Sequence, residues 1–186
     1  MSETLIASLV WQGGDLSLME SATLWRTDQG YALRGAIAGA LDRIGFSARY
    51  RVDCTKDWLT RSAWVELTRP PEVLEAHITV DANSLWLVDG IRRPDLDGLT
   101  DIDIQITPST NTLPIRRLSL PVGGQREVTA AWVRFPGLDV QRLTQGYHRV
   151  AERKYEYRSG DFRAELDVDE HGLVERYGSF WRRLQL

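Results

Sequence analysis

The stretch FSARYRVD, residues 46–53, alternates apolar and polar side chains with a period of two. In an extended strand successive side chains point to opposite faces, so the four apolar residues of this stretch share one face. Antiparallel sheets that bury one face and leave the other in water show this alternation. The stretch therefore predicts a half-buried strand of an antiparallel sheet.

The same alternation returns at residues 74–81, 101–106 and 162–169. Sequences typical of tight turns lie where such strands would reverse. These turn signals are Gly13-Gly14-Asp15, Asp28-Gln29-Gly30, Asp89-Gly90, Gly123-Gly124, Ser159-Gly160 and Glu170-His171-Gly172. Closely spaced strands with almost no helical period indicate an all-β fold, as a sandwich, a barrel or a curved sheet rolled on itself.

Residues 140–158 fit two interpretations. Several apolar side chains lie near a helical spacing, and the segment Ala151-Glu152-Arg153-Lys154 favours a helix intrinsically. Gly146 interrupts that run, however, and Tyr155-Glu156-Tyr157-Arg158 returns to the strand pattern. We predict two strands around a turn at about residues 150–153.

The chain of 186 residues fits one domain, which we assign to residues 1–186. Its composition, with 42% hydrophobic and 26% charged residues, is that of an ordinary soluble protein. The first residues carry an acidic side chain where a secretory signal carries positive charge, and no apolar run is long enough to span a membrane. We therefore expect a cytoplasmic protein without a transmembrane segment.

Charge and cysteine content exclude several kinds of site. The net charge is −3 and the arginines are scattered, so the basic footprint of a nucleic-acid-binding protein is absent. Cys54 is the only cysteine, which rules out an internal disulfide. His77, His148 and His171 stand far apart, without the spacing of metal ligands. We expect no metal ion and no cofactor.

The stretch TPSTNTLPIRRL, residues 107–118, breaks the strand pattern. Its two prolines remove backbone hydrogen-bond donors, and the Ser, Thr and Asn residues between them can bond neighbouring backbone groups. We predict a rigid, self-bonded loop. Such a loop either crosses between two strands or forms one wall of a ligand pocket.

The arginines at the end of this stretch belong to a predicted strand that runs from Arg116 to Leu120. There Arg116 would share a face with Leu118 and Leu120, while Arg117 would share a face with Ser119. We predict that Arg116 is buried and Arg117 is exposed. A buried guanidinium needs a carboxylate, backbone carbonyls or a ligand anion, because leaving it unpaired is costly.

The stretch TPSTNTLPIRRL, preceded by DIDI, resembles the signature of the bacterial family described as "putative glycolipid-binding", formerly a domain of unknown function. Weaker matches extend the resemblance from about residue 20 to residue 181, so the first strand lies outside it. These matches are Tyr50-Arg51-Val52 with Trp58 and Arg61, Trp86 to Gly90, Val133 to Pro136, Gln145-Gly146-Tyr147, Tyr155-Glu156-Tyr157 and Ala164 to Tyr177. The resemblance implies a spiral, half-open β-roll, similar in shape to periplasmic lipoprotein carriers.

The resemblance implies a non-catalytic binding protein with an apolar concave pocket for a lipid or glycolipid-like amphiphile. Such a pocket needs an apolar wall, aromatic faces and a few polar anchors. The candidate ligand-binding residues are Arg116, Asn111, Asp101, Asp103, Tyr50, Trp58, Trp86, Tyr147 and Tyr155. For Asp101 and Asp103, which would lie opposite the isoleucines of their strand, a solvated edge or an ion pair with an arginine stays an alternative.

Two other functions stay open. Paired carboxylates near an arginine could perform acid–base chemistry, as in a small-molecule isomerase or hydrolase that uses the same cavity. The sequence has no GxSxG or HExxH motif and no Cys/His pairing, which favours binding over catalysis. A scaffolding domain without a ligand would instead show an apolar patch at an open sheet edge. The sequence favours no particular oligomeric state.

Overall fold

The computed structural model describes residues 2–14 and 17–185, which form fifteen strands, one α-helix and two 3₁₀ helices. The strands are β1 (Glu3–Gly13), β2 (Leu18–Thr27), β3 (Gly30–Leu41), β4 (Ile44–Thr55), β5 (Thr60–Arg69), β6 (Glu72–Val80), β7 (Trp86–Val88), β8 (Ile91–Arg92), β9 (Asp101–Ile104), β10 (Gln125–Val133), β11 (Val140–Ala151), β12 (Lys154–Ser159), β13 (Phe162–Val168), β14 (Val174–Tyr177) and β15 (Trp181–Arg183). The helix α1 spans Thr112–Leu118, and the 3₁₀ helices span Pro94–Leu96 and Ser109–Asn111. None of these helices is long and apolar enough to cross a membrane.

The strands form one sheet in the order β8-β7-β6-β5-β4-β3-β2-β1-β15-β14-β13-β12-β11-β10-β9. Neighbouring strands are antiparallel except β9 and β10, which are parallel. The sheet curls so that the edge carrying β9 returns to β5, where the backbone N–H of Thr60 donates to the carbonyl of Thr100 at 2.9 Å. The edges do not pair into a closed barrel. The prediction of an all-β, half-open roll is confirmed.

The period-two stretches all form strands of this sheet. Residues 46–53 lie within β4, and the three similar stretches correspond to β6, β9 and β13. The ambiguous segment also forms two strands, β11 and β12, which pair antiparallel around a turn at residues 152–153. That prediction is confirmed. Of the predicted turn residues, Asp15 lies outside the described residues.

The stretch TPSTNTLPIRRL is helical, so the prediction of a loop followed by a strand is wrong. The 3₁₀ helix at Ser109–Asn111 leads directly into α1. Pro114 fits because it lies in the first turn, where backbone N–H groups have no partner within the helix. Ser119 ends α1 in a left-handed conformation with φ of 43°, and its N–H donates to the carbonyl of Ile115.

The helical segment fills the inside of the roll. Its residues from Ser109 to Ile115 are buried, and Leu113 belongs to the hydrophobic core. Hydrogen bonds anchor it on opposite sides, because Thr107 bonds to β2 and Thr112 donates to the carbonyl of Gly172 at 3.1 Å. The concave face of the sheet is therefore covered by the chain itself.

Gly35 on β3 gives room to an aromatic ring inside the roll. Gly35 and Tyr50 are direct partners across β3 and β4, and a Cβ atom on Gly35 would lie 2.3 Å from the Tyr50 ring. We expect Gly35→Ala to lower the free energy of unfolding by about 1–3 kcal/mol, because the ring must shift within a packed core. Urea unfolding measures this loss. Gly45→Ala is the matched control, since its Cβ would meet no atom closer than 3.9 Å; an equal loss in both variants would contradict the explanation.

Candidate functional site

A buried carboxyl group joins the helical segment to the wall of the roll. Glu20 on β2 is fully buried, and its Oε1 accepts hydrogen bonds from the Tyr50 hydroxyl at 2.5 Å and from Thr107 Oγ1 at 2.8 Å. The other oxygen, Oε2, has no hydrogen-bond partner among the described residues. The cluster thus connects β2, β4 and the start of the motif.

Burial determines the charge state of this cluster. Loss of hydration raises the pKa of Glu20 to about 8, against the partial compensation of its two hydrogen bonds. Burial and the neighbouring Glu20 also raise the pKa of Tyr50 well above its ordinary value. Both groups are therefore mainly protonated at pH 7, and the cluster is a neutral polar site inside an apolar wall.

A second polar cluster surrounds Asp103 on β9. Its carboxylate accepts hydrogen bonds from Thr110 Oγ1 at 3.1 Å and from Gln145 Nε2 at 2.6 Å. Burial raises the pKa of Asp103 to about 6. The Tyr147 hydroxyl lies 3.4 Å from Gln145 Oε1 and donates to Asn111 Oδ1 at 2.9 Å. This cluster therefore brings together three of the predicted site residues, Asn111, Asp103 and Tyr147.

The twin arginines have the opposite environments to those predicted. Arg117 donates from Nε to Asp101 Oδ1 at 3.1 Å and from Nη2 to Asp101 Oδ2, and Asp101 is only 1% exposed. Arg116 is exposed. The parity prediction is wrong because successive residues of an α-helix are rotated by about 100°, not by the 180° of a strand. The ion pair considered for Asp101 does form, but its partner is Arg117.

Arg116 lies at the rim of an open pocket of about 350 Å³ at the C-terminal end of α1. Its guanidinium donates to the carbonyl of Glu170 at 3.2 Å and lies 5.5 Å from the centre of the Trp58 ring. Arg149 and Arg153 also line this pocket, with the buried ring of Tyr155. Arg116, Trp58 and Tyr155 therefore meet at one end of the roll, away from the Asp103 cluster.

A column of aromatic rings runs from the opposite end of the roll to the Asp103 cluster. The column consists of Phe180, Phe162, Tyr177, Tyr157 and Tyr147. Ring centres are 5.2 Å apart between Phe180 and Phe162, 6.0 Å between Phe162 and Tyr157, and 5.3 Å between Tyr157 and Tyr147. Tyr177 contacts Phe180, Phe162 and Tyr157 at 5.8–6.2 Å between ring centres. Phe180 and Phe162 are 49% and 38% exposed, so the column connects solvent to the buried amide of Asn111.

Trp86 and Cys54 are both buried in the hydrophobic core. Trp86 is fully buried, and its Nε1 donates to the carbonyl of Leu99 at 3.2 Å. Burial raises the pKa of the Cys54 thiol to about 12, so the thiol stays protonated at neutral pH. Among residues 2–14 and 17–185, no group of three His, Cys, Asp or Glu side chains is arranged to hold a metal ion.

Sequence reasoning missed Glu20, Gln145 and the outer part of the aromatic column. Glu20 had a usable signal, because strand parity places it on the same face as Leu18, Ala22 and Leu24. A carboxylate in such an apolar row is a candidate for a buried acid. The column had no comparable signal, since its rings come from strands whose neighbours only the sheet order defines.

Comparisons with known proteins agree with this fold. A family model described as "Putative glycolipid-binding" matches residues 8–183. The structure is similar to the crystal structure of a DUF1089 family protein from Pseudomonas aeruginosa, with a TM-score of 0.81. The two sequences are 32% identical, and the match covers 90% of this chain and 92% of that chain. No curated protein matches the chain.

Proposed function

The chain belongs to the family described as "Putative glycolipid-binding", and on this premise we propose that it binds a lipid- or glycolipid-like amphiphile without chemically changing it. The observation that carries the proposal is the aromatic column. Its outer rings are open to solvent, and its inner ring ends on side-chain amide and carboxylate groups.

The column has the two kinds of surface that an amphiphile requires. Aromatic rings offer large apolar faces, and the hydroxyl of a tyrosine adds a polar end. Tyr157 and Tyr177 each carry a hydroxyl, and the Tyr147 hydroxyl contacts Asn111 and Gln145. A ligand seated against Phe162, Tyr177 and Phe180 would place its apolar part on the rings and its polar part towards these groups. Pockets for small ligands combine an apolar lining with few polar groups in this way.

The Arg116 pocket is a second contact region for the same ligand class. Three guanidinium groups surround it, and Ile115, Tyr155 and Val168 supply apolar surface. The carboxyl groups of Glu152, Asp169 and Glu170 line it as well, and Arg153 pairs with Glu170 at 3.6 Å. Such a rim of donors and acceptors suits the hydroxyl groups of a sugar head group. Arg116 either only holds the carbonyl of Glu170 in place or also anchors a ligand, and both roles stay predictions. A cytoplasmic location and a single domain over residues 1–186 are likewise proposed here.

We expect an alkyl glucoside, added below its critical micelle concentration, to bind saturably in calorimetry. Tyr177→Ala should weaken this binding about 5- to 10-fold, because it removes a ring that contacts Phe180, Phe162 and Tyr157. Val122→Ala is the control, since Val122 is an exposed apolar residue outside the column. Absence of saturable binding to the wild-type protein, or equal weakening in the control, would count against the proposal.

Catalysis is the second candidate function, and the raised pKa values of Glu20 and Asp103 favour it. Carboxyl groups with such pKa values can serve as general acids near neutral pH. The same titration distinguishes the two functions when the glucoside is recovered and examined by chromatography and mass spectrometry. Unchanged ligand supports binding alone, whereas a hydrolysed or isomerised product would replace the proposal by an enzyme.

A further inference from the structure

Two arginines face each other on the outer surface beside the exposed end of the aromatic column. Arg176 on β14 and Arg182 on β15 are direct partners across the two strands. Arg176 donates to the carbonyl of Gly178 at 3.3 Å, and Arg182 donates to Gln12 Oε1 at 3.0 and 2.6 Å. Neither forms an ion pair with a carboxylate among residues 2–14 and 17–185. Like charges directly opposite each other destabilise a sheet, so this pair needs a reason.

A similar pair elsewhere in the sheet is neutralised. Arg34 and Arg51 face each other across β3 and β4, but Glu3 lies 2.5 Å from Arg34 Nη2 and 3.7 Å from Arg51 Nη2. Arg51 also pairs with Asp53 at 2.8 Å. The carboxylates beside Arg34 and Arg51 thus pair with those arginines, whereas Asp167, the direct partner of Arg176 across β13 and β14, pairs with Lys154 at 3.5 Å.

A third arginine at this end, Arg163, also forms no ion pair with a carboxylate in the part of the chain that the structure describes. Arg163 on β13 donates to the carbonyls of Gly160 at 2.5 Å and Phe162 at 2.8 Å. Its partner across β12 and β13 is Arg158, which pairs with Glu127 at 3.6 Å. The nearby acids are engaged by other cations or lie in the turn itself. Glu165 and Asp167 pair with Lys154, Glu175 pairs with Arg183, and Asp161 is an exposed turn residue.

The apolar part of this surface is at the tips of two adjacent turns. Phe162 follows the turn between β12 and β13, and Phe180 lies in the turn between β14 and β15. An open groove of about 640 Å³ is lined by Arg176 and Arg182, by Glu175, and by Ser179 and Trp181, the chain neighbours of Phe180. Exposed aromatic rings beside unpaired guanidinium groups form a surface with both an apolar and a cationic component.

We propose that this end of the roll docks onto the surface of an anionic lipid bilayer. Phe162 and Phe180 enter the boundary between head groups and acyl chains, while Arg163, Arg176 and Arg182 pair with lipid phosphates. The phosphates remove the repulsion between the facing arginines, and each basic residue near an anionic surface adds to the affinity. That the bilayer also supplies the bound amphiphile rests on the proposed function; the docking itself does not.

Co-sedimentation with vesicles tests the docking. We expect the wild-type protein to bind vesicles of equal parts phosphatidylglycerol and phosphatidylcholine at 50 mM salt, and to bind pure phosphatidylcholine at least 10-fold less. Arg176→Gln combined with Arg182→Gln should weaken binding to the anionic vesicles about 10-fold or more. Because these changes remove a repulsion, the melting temperature should not fall, which separates lost docking from lost folding.

Matched variants complete the test. Phe180→Ser should weaken vesicle binding several-fold, whereas Ile91→Ser, at a residue that is 69% exposed elsewhere in the sheet, should not. Arg26→Gln combined with Arg61→Gln removes the same charge from exposed sites elsewhere in the sheet and should bind like the wild type. Equal binding to both kinds of vesicle, no vesicle binding, or equal losses in test and control variants would overturn the proposal.

Two further results separate this proposal from its alternatives. If inorganic phosphate binds through Arg176 and Arg182 while vesicles do not bind, the arginines serve a soluble anion and the bilayer proposal is wrong. The alkyl glucoside titration contains no vesicles. If the protein binds vesicles but not the glucoside, amphiphile binding is contradicted and docking is not. If the protein binds the glucoside but not vesicles, docking is contradicted and amphiphile binding is not.

Discussion

Replacing Arg117 by alanine is expected to lower the free energy of unfolding by about 3–5 kcal/mol, whereas Arg116→Ala should cost under about 1 kcal/mol. Arg117 bonds both oxygens of Asp101, a carboxylate that is 1% exposed. Without Arg117 that negative charge would stay buried and unpaired. Arg116 is exposed, donates to the carbonyl of Glu170 and lies over the face of Trp58, so its loss leaves no buried charge behind.

Urea unfolding of the two single variants at pH 7 measures this difference. A double variant, Asp101→Asn with Arg117→Met, is the control for the mechanism, because it removes both charges together. Its loss should be smaller than that of Arg117→Ala, since no uncompensated charge stays buried. Equal small losses for Arg116→Ala and Arg117→Ala would contradict the structural role of the Arg117–Asp101 pair.

The strands of this fold could be predicted because one face of each is buried and the other is wet. FSARYRVD in β4 and residues 162–168 in β13 show that asymmetry directly in their alternation. The order of the strands could not be predicted. The link between β1 and β15 and the parallel pair of β9 and β10 join residues far apart in the chain, and no local pattern specifies them.

The helix α1 escaped prediction for a physical reason. It has only seven residues, and Thr112 to Ile115 are all buried, so no alternation of apolar and polar faces marks it as a helix. Threonine and proline are also poor helix formers, which makes tertiary packing the main source of its stability. The prediction that Arg116 is buried and Arg117 exposed assumed a strand at these residues. It was wrong because they belong to a helix.

The candidate site was only partly accessible from the sequence. Asn111, Asp103 and Tyr147 were all predicted as site residues and do meet, because the motif that contains Asn111 lies inside the roll against β9 and β11. Gln145 and the outer rings of the column could not be placed without the sheet order. Glu20 differs from these, since parity alone places its carboxyl among apolar neighbours.

The stability of the protein is expected to fall as the pH rises from about 4.5 to about 8, with Glu20 as a main cause. The pKa of Glu20 is raised from 4.5 to about 8, so in this range the unfolded chain releases the proton while the folded protein keeps it. Below pH 4.5 both states are protonated, and above pH 8 both are ionised, so the slope ends there. Asp103 acts in the same direction between 3.8 and about 6.

Glu20→Gln isolates this contribution, because glutamine keeps the shape of the protonated acid and cannot ionise. The difference in unfolding free energy between the variant and the wild type should rise by on the order of 4 kcal/mol between pH 4.5 and pH 8, since one proton is worth about 1.4 kcal/mol per pH unit. The glutamine amide forms poorer hydrogen bonds in the cluster than the protonated acid does, and this loss of stability is the same at every pH. The change in the difference between pH 4.5 and pH 8 therefore reports the ionisation of Glu20 alone. Urea unfolding at half-unit steps of pH measures it, with the exposed Glu152→Gln as the control. A difference that stays constant across this range would mean that Glu20 is ionised inside the roll, and the neutral cluster with Tyr50 and Thr107 would then be wrong.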